Sequence, residues 1–389
     1  MKSLDTFASG KLTAIDARSQ RRHLFDHTRR DQMQAHRNGV GDVISFTDND
    51  YLGLSTHPDV IAVANEAAIQ YGAGSGASRL VTGNHPLYRE LEKKIAKLKG
   101  TEDALVFGSG YMANTGIIPT LVGKDDLIIA DELIHTSLHA GIKLSGAKTL
   151  FFRHNDVDHA KELLRANRHN HPHAMMLVDG VYSMDGDIAP LKQLGQVAKV
   201  FDCWLMSDDA HGVGVIGGGK GSAHACGAEN LVPLQMGTMS KAVGSYGGYL
   251  AASHQVCELL RSRCRSLIYT TGLPPATVAA SIKALDIITH NPDICARPVQ
   301  LAQKFAAAMG LPKPETAIVP LIVGAEDKTL MLSRQLAERG YLAWAFRPPT
   351  VPEGSSRLRF CFSSTHTDDQ LNGLIKTCRD IGLGTEIGQ

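Results

Sequence analysis

The chain carries no surplus of charge of either sign: 40 lysine and arginine residues stand against 39 acidic ones, for a formal net charge of +1 over 389 residues. Proteins that grip nucleic acid ordinarily show a basic excess, so that class of partner is not expected. Short basic pairs occur at Arg21-Arg22 and Arg29-Arg30, and they read as solvated helix faces. There is no C-x-x-C pair. The seven cysteines (Cys203, Cys226, Cys257, Cys264, Cys295, Cys361 and Cys378) are odd in number and scattered, which argues against a disulfide framework and a structural zinc site. No apolar run approaches the length that spans a bilayer. The N-terminus mixes Asp5 and Asp16 with basic residues and lacks the apolar core of a signal peptide. Repeats and low-complexity linkers are missing as well. The expectation is a reduced, cytoplasmic protein without membrane segment or nucleic-acid partner.

What is present is alternation. Ala104–Phe107, Leu127–Ala130, Ala174–Asp179, Trp204–Ser207, Leu234–Met236 and Tyr249–Ala252 are short apolar runs that read as buried strands. Between them, Pro86–Lys99, Tyr111–Leu121 and Leu191–Lys199 have helical spacing. This predicts an α/β domain with a mainly parallel sheet over residues 46–285. Residues 1–45, polar and basic, read as an N-terminal helical segment with a connector. Residues 286–389 read as a small C-terminal α+β domain, with strands at Val319–Val323, Leu342–Phe346 and Leu358–Phe362 and helices at Leu330–Glu338 and Asp368–Asp380.

Several glycine-rich stretches compete for a phosphate. Gly212-Val-Gly214-Val-Ile-Gly217 fits the dinucleotide pattern G-x-G-x-x-G. That pattern needs a strand directly before it and a helix directly after. Here Asp208–His211 intervenes, and Gly218-Gly219-Lys220-Gly221 cannot begin a helix. The same stretch approaches a P-loop, but Gly221 stands where a magnesium-binding hydroxyl belongs. Gly108-Ser109-Gly110-Tyr111 is better placed, between a strand and a helix whose free N–H groups suit a phosphate dianion.

Three further features converge on that turn. Lys241, in Thr238-Met-Ser-Lys241, falls between an apolar strand and the glycines 244, 247 and 248, where burial would make its amine a nucleophile toward a carbonyl. Thr238 and Ser240 beside it offer hydroxyls to a phosphate. Asp208 ends a strand, where a carboxylate can keep a pyridine nitrogen protonated, and His211 follows within reach of a phenolic oxygen. His135, after another strand, can stack on an aromatic ring. Taken singly, each has an ordinary explanation: a snorkelling lysine, a loop-capping aspartate, a packed histidine. Together they suit one cofactor, pyridoxal 5′-phosphate (PLP), held by Lys241 as a Schiff base. His169, His171 and His173 alternate on a polar stretch with no carboxylate or cysteine to complete a metal site, so no metal is expected.

With these residues in view, the chain resembles the α-oxoamine synthases, fold-type I PLP enzymes that join an amino acid to an acyl-CoA. The likeness runs from about Asn49 to His366. It is carried by Asn49-Asp-Tyr-Leu-Gly53, Gly74-Ser-Gly-Ala-Ser-Arg79, Ser109-Gly-Tyr-Met-Ala-Asn114, Ser183-Met-Asp-Gly-Asp187, Asp208-Asp-Ala-His-Gly212, Thr238-Met-Ser-Lys241, Tyr269-Thr-Thr271 and Arg347-Pro-Pro-Thr-Val-Pro352. Arg153-His-Asn-Asp-Val157, Trp204–Ile216 and Arg347–Arg359 most resemble members that condense L-alanine with a pimeloyl thioester on CoA or a carrier protein; the alternative is a member that joins glycine to an acyl-CoA, as in making 2-amino-3-oxobutyrate or 5-aminolevulinate.

The resemblance implies a large domain with a seven-stranded, mainly parallel sheet and a homodimer with active sites at its interface. It implies that Lys241 bonds the cofactor and moves protons, Asp208 pairs with the pyridine nitrogen, and His135 stacks on the ring. His211 and Ser183 would contact the phenolic oxygen. Ser109, Gly110, Tyr111 and Thr238 would surround the phosphate or ring, and Thr270 and Thr271 would reach the phosphate of the partner subunit. Asn49 and Arg359 would hold the amino-acid carboxylate, which an arginine fork suits. Arg347 would meet the distal carboxylate of the acyl chain or shape its channel, with Arg18, Arg21 or Arg22 as further candidates for that carboxylate. Asp179 and Gly272 depart from the family pattern, and neither is expected to touch the chemistry.

Overall fold

A computed structural model describes residues 2–17 and 20–384. Seven strands form the main sheet: β1 (Asp103–Phe107), β2 (Leu127–Asp131), β3 (Lys148–Phe152), β4 (Ala174–Asp179), β5 (Trp204–Asp208), β6 (Leu234–Thr238) and β7 (Gly248–Ala252). Their order is β1-β7-β6-β5-β4-β2-β3. Only β7 runs against its neighbours; every other pairing in the sheet is parallel. Strands buried on both faces read as unbroken apolar runs, and the period of two sorts their side chains into opposite layers. Ile128 and Ala130 join the layer with Met175 and Leu177, whereas Leu127 and Ile129 join that with Met176 and Val178.

The parallel arrangement brings the C-terminal ends of β1, β2, β4, β5 and β6 to one edge, where α/β folds place their ligand sites. The start of β7 lies at that edge too, because Gly248 pairs with both Phe107 and Thr238. A Cβ on Gly248 would collide with the backbone of Ser109 and Gly110, so this glycine lets the strand press against the turn after β1.

Two expectations need correction. Residues 1–45 are not solely a helix and a connector. After the helix Lys2–Asp16 come strands His27–Arg29, Gln34–Arg37 and Gly41–Ser45. The last of these pairs in parallel with Tyr341–Leu342 from the far end of the chain. Gln34–Arg37 shows a mostly exposed face, so its polar composition concealed it. Leu342–Phe346 is not one strand either. It splits at Ala343: Tyr341–Leu342 joins the N-terminal strands, while Trp344–Phe346 joins a second antiparallel sheet with Ser356–Cys361 and Ile318–Gly324. The strand Lys148–Phe152 was not foreseen; it lies at the sheet edge and is largely uncovered.

Helix Pro292–Ala308 bridges the two cores. Cys295 packs with the layer under the main sheet, and Leu301, Ala302 and Phe305 pack with Phe46, Phe360 and Phe362. No helix among the described residues is long and apolar enough to cross a membrane.

Candidate active site

A cavity of about 180 Å³ opens at the C-terminal edge of the sheet. Ser109, Gly110, Tyr111, His135, Ser183, Asp208, His211, Thr238 and Lys241 all line it, together with Ser137, Asp179 and Ser240. Sequence reasoning had picked out the first nine for the cofactor.

The turn after β1 is built by Ser109, whose Oγ accepts the N–H of Met112 at 3.1 Å and caps the helix Gly110–Leu121. The first-turn N–H groups of that helix have no helical carbonyl to pair with. They form a neutral, donor-rich cradle suited to a phosphate dianion. Thr238 borders it, but its hydroxyl donates to the Gly247 carbonyl at 2.7 Å, while Ser240 Oγ lies 2.8 Å from Thr238 Oγ1. A hydroxyl has one proton, so Ser240 is the donor to Thr238. The Ser240 N–H lies 3.3 Å from the same oxygen, so the proton and both lone pairs of Thr238 are engaged within the protein, and the expected donation is already directed at the backbone.

Asp208 sits at the end of β5, buried, with Oδ1 accepting the Ala210 N–H at 3.1 Å and Oδ2 accepting Asn114 Nδ2 at 2.7 Å. Asp179 is its register partner on β4 and accepts the His135 N–H at 3.2 Å. Burial, reinforced by the Asp208 charge, pushes the Asp179 carboxyl well above the usual carboxylate range. Asp179 was not expected to touch the chemistry directly; the strand register brings it beside Asp208 and into the cavity wall. Lys241 follows β6, and the loss of hydration lowers its ammonium pKa to about 8, against the opposing pull of Asp208 and Asp179. An amine with that pKa is partly neutral near physiological pH and can attack a carbonyl.

His211 is buried and lies 2.7 Å from the Tyr51 hydroxyl through Nδ1. Burial, then the positive charges of Lys241 and Arg359, drive its pKa well below the usual value. His135 stands at the N-cap of the helix Thr136–Ser145 with its ring open to the cavity. Tyr51 and Asn114 lie within the family-like motifs, but the resemblance implies no role for either; Asn114 stands out in the sequence as a lone amide on an otherwise apolar helix face.

The other predicted residues are not part of the cavity lining, although Arg359 reaches its wall at Ser183. Arg359, buried on the strand Ser356–Cys361, donates to the Ser183 carbonyl at 2.7 Å and to Asn49 Oδ1 at 3.0 Å. Its Nε is buried with no acceptor. Arg347 is half-buried just after Trp344–Phe346, and Thr270 and Thr271 lie beyond the helix Arg265–Ile268, with Thr271 exposed and bridged to Ser78. Of the N-terminal candidates, Arg18 lies outside the described residues, Arg21 pairs with Asp16 at 2.8 Å, and Arg22 is exposed.

The arrangement defines a class. A nucleophilic lysine, a carboxylate, a stackable imidazole and a phosphate cradle around one cavity on a mixed seven-stranded sheet fit PLP, on a fold of type I. Residues 41–377 match the family model for aminotransferase class I and II. The chain is 57% identical over 339 residues to the 8-amino-7-oxononanoate synthase of Methylocella silvestris, covering 87% of this chain and 97% of that one. It is 50% identical over 380 residues to that of Methylobacterium nodulans, covering 98% and 97%. Among solved structures, an SPT with PLP superposes with a TM-score of 0.89 at 31% identity, covering 98% of this chain and 99% of that one. The chain belongs to the class I and II aminotransferase family, among the PLP-dependent acyltransferases of the 8-amino-7-oxononanoate synthase type.

Proposed function

We propose that this enzyme condenses L-alanine with a pimeloyl thioester, releasing CoA or a carrier protein and carbon dioxide, to give 8-amino-7-oxononanoate for biotin synthesis. The observation that carries the reading is the 50–57% identity, over most of the chain, to proteins of that name. PLP bound to the amino acid supplies an electron sink for the bond broken at Cα.

The protein's own residues do the rest. Lys241 Nζ holds the cofactor and, once displaced, takes the proton from Cα and later returns one. Asp208 keeps the pyridine nitrogen protonated, and His135 stacks on the ring. His211 and Ser183 meet the phenolic oxygen. Ser109, Gly110 and Tyr111 cradle the phosphate with Thr238 alongside. Asn49 and Arg359 receive the alanine carboxylate; the unpartnered Nε of Arg359 supports this, since a buried guanidinium N–H without an acceptor is costly unless a ligand completes it. Thr270 and Thr271 complete the phosphate site of a second copy in a homodimer; the exposure of Thr271 agrees with a role toward a neighbour. Arg347 faces the distal end of the acyl chain. Seven free cysteines fit a reducing, cytoplasmic setting.

A second reading is the same condensation with another amino acid and acyl chain. It is favoured by the high TM-score to the solved SPT. One assay separates the two: PLP-loaded protein is given L-alanine with pimeloyl-CoA, and free CoA and product mass are read together. CoA release with 8-amino-7-oxononanoate is expected. A spectral response to alanine without product would overturn the pimeloyl-CoA assignment, and L-serine with palmitoyl-CoA then tests the second reading.

A further inference from the structure

A chain of hydrogen bonds runs behind the cavity wall. Asn114, fully buried on the helix Gly110–Leu121, places Nδ2 2.7 Å from Asp208 Oδ2 and 2.9 Å from Ser137 Oγ. Ser137 Oγ is 2.7 Å from Nδ1 of His135, and the Ser137 backbone N–H points at the same nitrogen from 3.3 Å.

The direction of every link follows from chemistry. A carboxylate only accepts, so Asn114 meets Asp208 with its amide nitrogen. The second hydrogen of that nitrogen goes to Ser137 Oγ. The serine hydroxyl accepts from Asn114, and because the Ser137 backbone N–H makes Nδ1 of His135 an acceptor, the hydroxyl's single proton goes to Nδ1 as well. The backbone N–H of Ser137 has only donation to offer the same atom. Nδ1 accepts from two donors, which puts the imidazole's one hydrogen on Nε2.

We propose that Asn114 and Ser137 are positioning residues that lock His135 as the neutral Nε2–H tautomer and tie its ring orientation to the carboxylate of Asp208. The proposal rests on the roles given above to His135 and Asp208 toward PLP. An imidazolium lying on a protonated pyridine would set two cations face to face, and the lock avoids that. To accept a proton at Nδ1, the ring would have to give up both bonds from Ser137. The other charged or titratable groups facing it are Lys241, Asp208 and His139, with Asp179 accepting its backbone N–H. Packing alone does not account for Asn114. Its Oδ1 is buried without a partner, a cost that a leucine of similar size would not carry.

The test is ¹⁵N NMR of histidine-labelled, PLP-loaded protein, with His135 assigned by difference against His135→Phe. Visible absorbance of each sample reports PLP occupancy. Failure to take up PLP would therefore count against the cofactor roles and is distinguishable from a wrong tautomer. In the wild type, the expected result is a protonated Nε2 and a bare Nδ1. Asn114→Leu and Ser137→Ala should each raise the ratio of Nδ1–H to Nε2–H forms at least about fivefold, the ratio an ordinary hydrogen bond sustains. Ser137→Thr, which keeps the hydroxyl, should restore the wild-type ratio. A wild-type ring protonated on Nδ1, or a ratio unmoved by both disabling variants, overturns the proposal. Should Asn114→Leu fail to fold, the contrast between Ser137→Ala and Ser137→Thr decides alone.

Discussion

Lys99 Nζ lies 2.8 Å from Asp209 Oδ2, with the two side chains only 1% and 2% exposed. Lys99 closes the helix Leu87–Lys99 and also donates to the Lys220 carbonyl at 2.6 Å, while the Ser222 N–H bonds the same carboxylate. This pair explains the first glycine of the stretch that mimics a dinucleotide motif, and the glycine that closes the loop at position 221. A Cβ on Gly212 or on Gly221 would overlap the Asp209 carboxylate, and Gly221 holds φ +95°. The loop from 209 to 222 is wrapped around a buried ion pair, and its glycines serve close packing.

Removing one partner of such a pair strands the other as a buried charge. Lys99→Met is expected to destabilise the fold by about 3–5 kcal/mol. Because Asp209 follows Asp208 directly, weakened PLP retention should accompany the loss. Denaturant titration with absorbance of the bound cofactor checks both; unchanged stability would contradict this account of the loop.

His154 gives a pH signature. Its Nδ1 lies 3.1 Å from Asp131 and its Nε2 2.7 Å from Asp187. Burial opposes its charge, but the bonds and attraction of the two carboxylates prevail and raise its pKa to about 10. The unfolded value is about 6.5. A pKa raised on folding stabilises in full below the unfolded value, and that contribution is lost as pH climbs through the folded one. The stability difference between wild type and His154→Asn should therefore be about 1–3 kcal/mol at pH 6 and shrink steadily toward pH 10. Denaturation curves at several pH values measure it, and a difference that grows with pH would refute the charged bridge.

Lys241 should reveal its lowered pKa through the rate at which it captures the cofactor. Only the neutral amine attacks, and with a pKa of about 8 the neutral fraction rises about tenfold per pH unit below that value and levels off above it. Stopped-flow absorbance of PLP-free protein mixed with PLP should trace that curve. Lys241→Ala should lower turnover by at least about a thousandfold, as expected when a nucleophile and proton carrier are removed together. A capture rate still rising steeply near pH 10 would mean the amine is not desolvated.

The parts of this site that were legible in the sequence are those where one residue type sits at a strand end. Asp208 and Lys241 interrupt apolar runs, and a charge there is conspicuous. Pairings between distant segments were not legible as contacts: Asn49 meets Arg359 across 310 positions and Tyr51 meets His211 across 160, and no local pattern encodes either bond. Polar strands such as Gln34–Arg37 were hidden because their register is set by a partner strand, not by alternation. Asp179 was set aside because its place in the cavity depends on the register of β4 against β5, which periodicity does not fix.

Replacing Arg347 is expected to separate specificity from chemistry. This residue follows the strand Trp344–Phe346, and Arg359, two residues along the neighbouring strand from the partner of Phe346, reaches the Ser183 carbonyl in the cavity loop. If it receives the distal carboxylate of the acyl chain, Arg347→Ala removes an interaction that only a dicarboxylic substrate makes. A hydrogen bond to a charged group contributes about 1.5–3 kcal/mol, so kcat/KM for pimeloyl-CoA should fall roughly tenfold to a hundredfold. Heptanoyl-CoA, of equal length but uncharged at its end, should lose little. The PLP absorbance and its response to L-alanine should stay as in the wild type, since that half of the reaction does not involve the acyl chain. Equal losses for the two thioesters would remove Arg347 from substrate choice and assign it to the structure of its turn.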